Sequence, residues 1–423
     1  MKYSIETLQN GARLLMIPQP GALTATALIL VKTGSKYESA QESGLSHFLE
    51  HMMFKGTARY PSAKKLAELF DGLGAISNAF TDRELTGYYA KGNPAHLDTF
   101  IDTLADIYLN TQFAEDEVAR ERGVIIEEYN MYEDMPQYKA SEQLYVSLYG
   151  DQPAGRPVLG TKDTIRSFTA KDFVAYKQKH YSASNTIIVV AGDFKAAQVK
   201  KNVAKVFAPL ATRTSSKKQK VVDTQHTRTL SVFTKKTDQT HVVIGFRALP
   251  IGHKDALALS LLSTILGGGM SSRLFIKLRE ERGAAYYVNS SYEAFTDHGI
   301  FSIHTGIDKK RIGEIMEVIV DELASIKKDG IPAAELAKAQ QYSIGMMRLG
   351  LESSDDIAGF CGTQLLLKGA IRTPQERTEQ IMQITTADIC RVARKIFVSN
   401  HANISVVGPF KTADIDTGMF DRL

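Results

Sequence analysis

Residues 169–194 read TAKDFVAYKQKHYSASNTIIVVAGDF, and residues 385–410 read TTADICRVARKIFVSNHANISVVGPF. Thr169 and Asp172 stand 216 positions before Thr385 and Asp388; at that offset Lys179 meets Lys395, Tyr181 meets Phe397, Gly192 meets Gly408 and Phe194 meets Phe410, without a gap. Each stretch opens with a Thr suited to cap a helix and runs into a β-branched strand that ends in Gly-x-Phe. Any helix–strand unit matches another at a few positions, but one offset held over the whole stretch marks an internal duplication. The 423 residues, two to three domains' worth by length alone, therefore read as two similar halves. We place the first domain at 1–208, a linker at 209–228 and the second domain at 229–423. The seam, APLATRTSSKKQKVVDTQHTRTL at 208–230, has the polar composition of an exposed connection, and its Lys217, Lys218 and Lys220 read as a solvated face.

Outward from the repeat, Ile5 and Leu8 before Asn10-Gly11, with Leu14 and Met16 after it, suggest an opening β-hairpin. Apolar runs at 27–31, 186–190, 241–246 and 404–407 look like strands, with long helical patterns between them. The order is mixed and not strictly alternating, which favours α+β over a doubly wound parallel sheet. With 43% hydrophobic and 23% charged residues, a disordered, collagen-like or coiled-coil chain is excluded. A net charge of +4 makes no case for a nucleic-acid partner. Cys361 and Cys390 form no metal or redox spacing and read as core thiols of a reducing compartment. The N-terminus, MKYSIETLQNGARLL, lacks the pattern of a secretory or transit signal. The uncharged stretch 256–272 is apolar only as far as Leu266, too short for a bilayer and suited to a buried helix. A soluble, cytoplasmic protein with no membrane span is the expectation.

The chemistry gathers in 44–57, GLSHFLEHMMFKGT. On a helix, His47 and His51 lie about 40° apart in projection and one turn apart, with Glu50 beside them, while Leu45, Phe48, Leu49 and Met52 cover the other side. Two imidazoles and a carboxylate on one face of an apolar helix suit zinc, which takes neutral imidazole nitrogens, a third protein ligand and a water. A carboxylate that is not a ligand can take the proton of that water. The plainer reading is the wet face of an amphipathic helix. A third ligand has a source in the helical pattern at 115–132, where Val118, Ile125, Tyr129 and Tyr132 form an apolar stripe, Glu127 faces solvent, and Glu121 and Glu128 share the stripe's flank. A carboxylate turned toward a core needs a partner, either a metal or a salt bridge.

HFLEH, followed by ERGVIIEEYNMYEDMP with Glu128 77 positions after His51, resembles the inverted-motif zinc peptidases of the pitrilysin, insulin-degrading enzyme and mitochondrial-processing-peptidase family, M16. The resemblance implies that His47, His51 and Glu128 bind one zinc ion per chain, that Glu50 is the general base, and that Glu121 is a carboxylate orienting a ligand or water. It also implies two duplicated domains, each a mainly antiparallel sheet packed with helices, in the M16 or LuxS-like metallopeptidase fold. The segment 74–90, GAISNAFTDRELTGYYA, is similar to the family's edge strand, so Asn78, Ala79 and Phe80 would receive a substrate peptide as an added strand. Without the resemblance, an ordinary edge strand is the better reading.

In the second half, 267–288 reads GGGMSSRLFIKLREERGAAYYV. Its glycines lack a phosphate-loop ending and point to close backbone approach or flexibility. Read alone, 279–282 is a solvated helical end. By resemblance, an Arg and a Tyr seven residues apart hold substrate carbonyls, which would be Arg279 and Tyr286, with the Tyr hydroxyl aiding the oxyanion and Arg282 as the other arginine available. No second HxxEH occurs in this half. The expectation is a zinc endopeptidase acting on short peptides or unfolded protein segments in a closed chamber. The chain has half the domains of the family's large single-chain members, so a homodimer, or a heterodimer with a related subunit, is expected, with Arg279 and Tyr286 acting within the chain or across it. The competing readings are a catalytically silent structural or assembly subunit and a peptide-binding chaperone.

Overall fold

A computed structural model describes residues 1–214 and 216–423; residue 215, inside the linker placed at 209–228, lies outside the described residues. The chain forms two compact units. The first comprises Met1–Tyr129, Pro157–Gln219 and Arg348–Pro374; the second comprises Asn130–Arg156, Lys220–Met347 and Gln375–Leu423.

The sheet of the first unit is built from β1 (Ser4–Thr7), β2 (Arg13–Pro18), β3 (Ala25–Val31), β4 (Ile76–Thr81), β5 (Thr86–Gly92) and β6 (Thr186–Gly192), in the order β1-β2-β6-β3-β5-β4. That of the second holds β7 (Thr229–Thr234), β8 (Thr240–Ala248), β9 (Ala285–Ala294), β10 (Gly299–Ile307) and β11 (Asn403–Gly408), in the order β7-β11-β8-β10-β9. Beyond the extra β1, the two orders are the same order. In each sheet one pair is parallel, β2 with β6 and β7 with β11, and the other neighbours are antiparallel. The fold is thus a duplicated α+β architecture of two mainly antiparallel sheets packed with helices.

The repeated stretches take the same form in both units. Thr169 opens the helix Ala170–His180 and Thr385 opens Thr386–Ile396. In each case the Thr backbone N–H donates to the Asp three residues on, at 2.8 Å to Asp172 and 2.9 Å to Asp388, so the sequence repeat is a repeated capping device. The opening hairpin also forms, with Thr7 opposite Arg13 and Ser4 opposite Met16.

Central strands are buried on both faces, which is why β3 and β6 read as unbroken apolar runs. Ala27, Ile29, Val31, Ile188 and Val190 pack with helices Leu45–Met53, Leu97–Asn110 and Ala170–His180. Leu28, Leu30, Ile187 and Val189 point to the other face, where Ile357, Ala358, Cys361 and Leu365 of helix Ser354–Lys368 cover them. The second sheet is covered likewise: helices Ala256–Gly267, Ile312–Asp329 and Thr386–Ile396 on one face, and Ala140, Leu144 and Leu148 of helix Pro136–Tyr149 on the other.

Those two back-face helices are exchanged. Pro136–Tyr149 lies in the first half of the sequence and belongs to the second unit, while Ser354–Lys368 lies in the second half and belongs to the first. The compact units therefore differ from the continuous stretches 1–208 and 229–423 by one helix in each direction. An apolar stripe records that a helix must be covered; it carries no record of which sheet does the covering.

Two smaller readings gain a physical basis. The apolar stretch after residue 255 is the buried helix Ala256–Gly267, and a Cβ on Gly267 would lie 2.4 Å from the backbone nitrogen of Ser290, so close approach accounts for that glycine. Among the described residues, no helix is long and apolar enough to cross a membrane. Both cysteines are free, Cys361 buried and Cys390 partly so.

Candidate metal centre

Helix Leu45–Met53 starts at Gly44, whose φ of 94° is left-handed and whose absent Cβ would sit 2.4 Å from the Leu159 carbonyl oxygen. Its free N–H groups are met by the buried Glu38, whose carboxyl oxygens accept from the backbone of Gly44 at 2.9 Å and of Ser46 at 2.7 Å. Leu45, Phe48, Leu49 and Met52 are buried in the first unit's core, so the helix cannot rotate without exposing them. His47, Glu50 and His51 are left on the remaining face, with the imidazole centroids 4.7 Å apart.

The facing residue comes from helix Glu115–Glu133, anchored by Val118 and Ile125, with Glu127 exposed as expected. Glu128 Oε2 lies 3.7 Å from His47 Nε2 and 3.6 Å from His51 Nε2. These gaps are too long for hydrogen bonds. They are close to the edge of a tetrahedron whose corners lie about 2.1 Å from its centre, roughly 3.4 Å, which is the geometry of zinc among nitrogen and oxygen donors. One donor atom from each of His47, His51 and Glu128 falls within 4.8 Å of the others. The donor set and its spacing fit a single zinc ion.

The surroundings prepare the donors. Burial, with His51 adding its charge, pushes His47 down to about 3, so its imidazole is neutral with a lone pair to give. Its Nδ1 is buried without a hydrogen-bond partner among the described residues. Burial, the largest single effect, would also lower His51, but the hydrogen bond of its Nδ1 to Glu121 at 2.8 Å and the charges of Glu50, Glu121 and Glu128 together outweigh it and raise His51; the same bond fixes the tautomer with Nε2 turned to Glu128. Burial would raise Glu121; hydrogen bonds from His51 and Lys55 reverse this and hold it ionised. Glu50 and Glu128 are both raised, chiefly by burial. Glu50 Oε2 accepts from Thr81 Oγ1 at 2.5 Å, which fixes one of its oxygens.

Thr81 closes β4, the edge strand of its sheet, and so ties that edge to the helix bearing Glu50. Asn78, Ala79 and Phe80 all lie on β4. Asn78 Oδ1 accepts the Ala79 N–H at 2.8 Å, Ala79 packs on the core, and the Phe80 ring lies over Gly87 of β5. In the second unit, Arg279 sits in the turn Phe275–Glu280, where the N–H of Glu281 donates to Ile276 O five residues back at 2.9 Å, a local π-helical widening. Arg279 Nη1 donates to Tyr286 O at 3.0 Å, and the Tyr286 side chain is 72% exposed on β9. Arg282 is taken up by Lys277 O, Glu281 and Glu314, whereas Arg279 makes no ion pair among the described residues.

Glu38, Lys55 and Thr81 escaped the reading of the sequence. Lys55 lies just past the end of helix Leu45–Met53, where helical spacing no longer assigns a face. Glu38 and Thr81 lie in a loop and at a strand end, where no periodicity points to a partner.

Comparison with known proteins gives matches over most of the chain. The family model described as "Insulinase (Peptidase family M16)" matches residues 13–162, and that described as "Peptidase M16 inactive domain" matches 167–342. An uncharacterized zinc protease of Bacillus subtilis is 34% identical over 95% of this chain and 97% of its own. An uncharacterized zinc protease of Rickettsia felis is 33% identical over 96% and 98%. Among solved structures, a protease from Helicobacter pylori superposes with a TM-score of 0.90 at 26% identity, covering 96% of this chain and 99% of that one.

Proposed function

Because this chain belongs to the M16 zinc protease family, we propose that it is a working member: a zinc-dependent endopeptidase that cuts short peptides or unfolded segments inside a closed chamber. The observation that carries this reading is the approach of His47, His51 and Glu128 donor atoms to within 4.8 Å, with Glu50 on the same helical face. Zinc, when bound by these three side chains, would polarise the scissile carbonyl and acidify water.

The chain's own residues do the rest. Glu50, steadied by Thr81, accepts the proton of the attacking water and hands it to the leaving amine; its raised affinity for protons suits a group that must hold one briefly. Glu121 holds His51 in the tautomer that leaves Nε2 free. A substrate strand adds to the edge of β4, displacing the Asn78 amide oxygen from the Ala79 N–H. Phe80, turned onto Gly87, contributes the wall of that edge. Arg279, the arginine without an ion pair, holds a substrate carbonyl, and the exposed Tyr286 hydroxyl donates to the oxyanion. A homodimer encloses the chamber.

Glu50→Gln tests the reading. The variant should carry the same one zinc per chain as the wild type and lose turnover of a peptide library by about 10²–10⁴-fold. Cleavage at the wild-type rate would sink the mechanism. Peptide binding without products, unchanged by a chelator, would point instead to a silent subunit or a chaperone.

A further inference from the structure

The first unit contains a cavity of about 530 Å³ that the proposed peptidase chemistry does not use. Its volume falls in the range of small-molecule sites, roughly 300–1,000 Å³. The rings of Tyr108, Phe113 and Tyr181 and the side chain of Leu210 make an apolar wall. The two tyrosine hydroxyls are occupied elsewhere, Tyr108 with Thr186 Oγ1 at 2.7 Å and Tyr181 with Tyr88 at 2.8 Å, so the rings offer the cavity surface without an unmet polar group.

Charge in the lining has one sign. Lys177 and Arg213 are both among the lining residues, and no Asp or Glu is. Arg213 makes no ion pair among the described residues. Lys177 gives one hydrogen bond, to Leu109 O at 3.2 Å, and lies 5.9 Å from the centre of the Phe113 ring. An ammonium has three donors, so it has capacity for another acceptor. Burial pushes Lys177 down to about 8, and the Asp106 carboxylate that partly offsets this is itself bonded to Thr57 and Asn110. A half-buried cation without a contacting anion is one that an incoming anion stabilises.

We propose that this cavity binds a small molecule with an apolar body and a single carboxylate head, the body against Tyr108, Phe113, Tyr181 and Leu210 and the head on Lys177 and Arg213.

The full-length protein is titrated calorimetrically with decanoate and with 1-naphthaleneacetate, which separate an alkyl from an aryl body, and with decanol as the uncharged counterpart. Saturable one-to-one binding of at least one acid is expected, with decanol at least tenfold weaker. Lys177→Met should weaken the acid at least tenfold and Lys177→Arg should largely restore it. Val174 lines the cavity and is 42% exposed, so Val174→Trp can fill the space without disturbing the core and should abolish binding. No saturable binding of either acid at millimolar concentration, decanol equal to decanoate, or wild-type affinity in Val174→Trp would each overturn the proposal.

Discussion

Single carboxylates set the working state of this site. Glu121 accepts from both His51 and Lys55 and stands outside the donor set of His47, His51 and Glu128, so its removal should loosen a bound metal without deleting one of those donor atoms. Glu121→Gln is expected to weaken zinc about 10–100-fold, read by competition with a chelator, with the fold intact by circular dichroism. Glu38 makes a different prediction. Burial lifts its carboxyl to about 8, although the hydrogen bonds from Ser46 and Gly44 pull the other way. A carboxyl raised in the folded state keeps a proton that the unfolded chain has released, so its contribution is fully present below the unfolded value of 4.5 and is lost as pH rises through about 8. Thermal midpoints should therefore fall between those limits, and Glu38→Gln should flatten that slope relative to wild type. The two glutamates also mark the limit of reading by residue. HxxEH and the flank shared by Glu121 and Glu128 were legible because helical spacing projects them onto faces; Glu38 reaches its helix from a loop, and only tertiary packing brings it there.

At the level of elements, the capped helices after Thr169 and Thr385 and the strands that follow them were legible from the repeat alone. The motif helix was legible too, but its manner of starting was not. A Gly-Leu-Ser opening has no conventional cap, and the structure supplies one from Glu38. Gly44 holds the start in a left-handed turn against the Leu159 carbonyl, so any side chain there is opposed twice, by conformation and by contact. Gly44→Ala should cost about 2 kcal/mol or more in denaturant unfolding and should lower zinc uptake in parallel, since the same turn aims His47. Full stability with normal uptake would show that the turn does not position the site. The π-helical widening that carries Arg279 was invisible beforehand, because its apolar spacing is that of an ordinary helix.

At the scale of the whole molecule, the duplication was legible and the exchange of helices was not. Each sheet needs a back-face helix from the other half of the chain. Residues 1–208 alone would leave Leu28, Leu30, Ile187 and Val189 without Ile357, Ala358, Cys361 and Leu365. At about 25 cal/mol per Å² of apolar surface, an uncovered sheet face of this kind is a substantial fraction of a domain's net stability. Expressed alone, 1–208 should bind a hydrophobic dye and melt without a sharp transition, and mixing it with 209–423 should restore a cooperative melt. A sharp melt of 1–208 by itself would refute this dependence.

A chain with one copy of the repeat would have to lend its back-face helix to a second copy and borrow that copy's helix in return, which is domain swapping. Joining the two copies covalently turns that meeting of two chains into an event within one. Completion of each core then depends on the length of the connection and not on dilution. The rate of refolding and the thermal midpoint of each unit's core should accordingly be set by the tether, even where the protein is scarce.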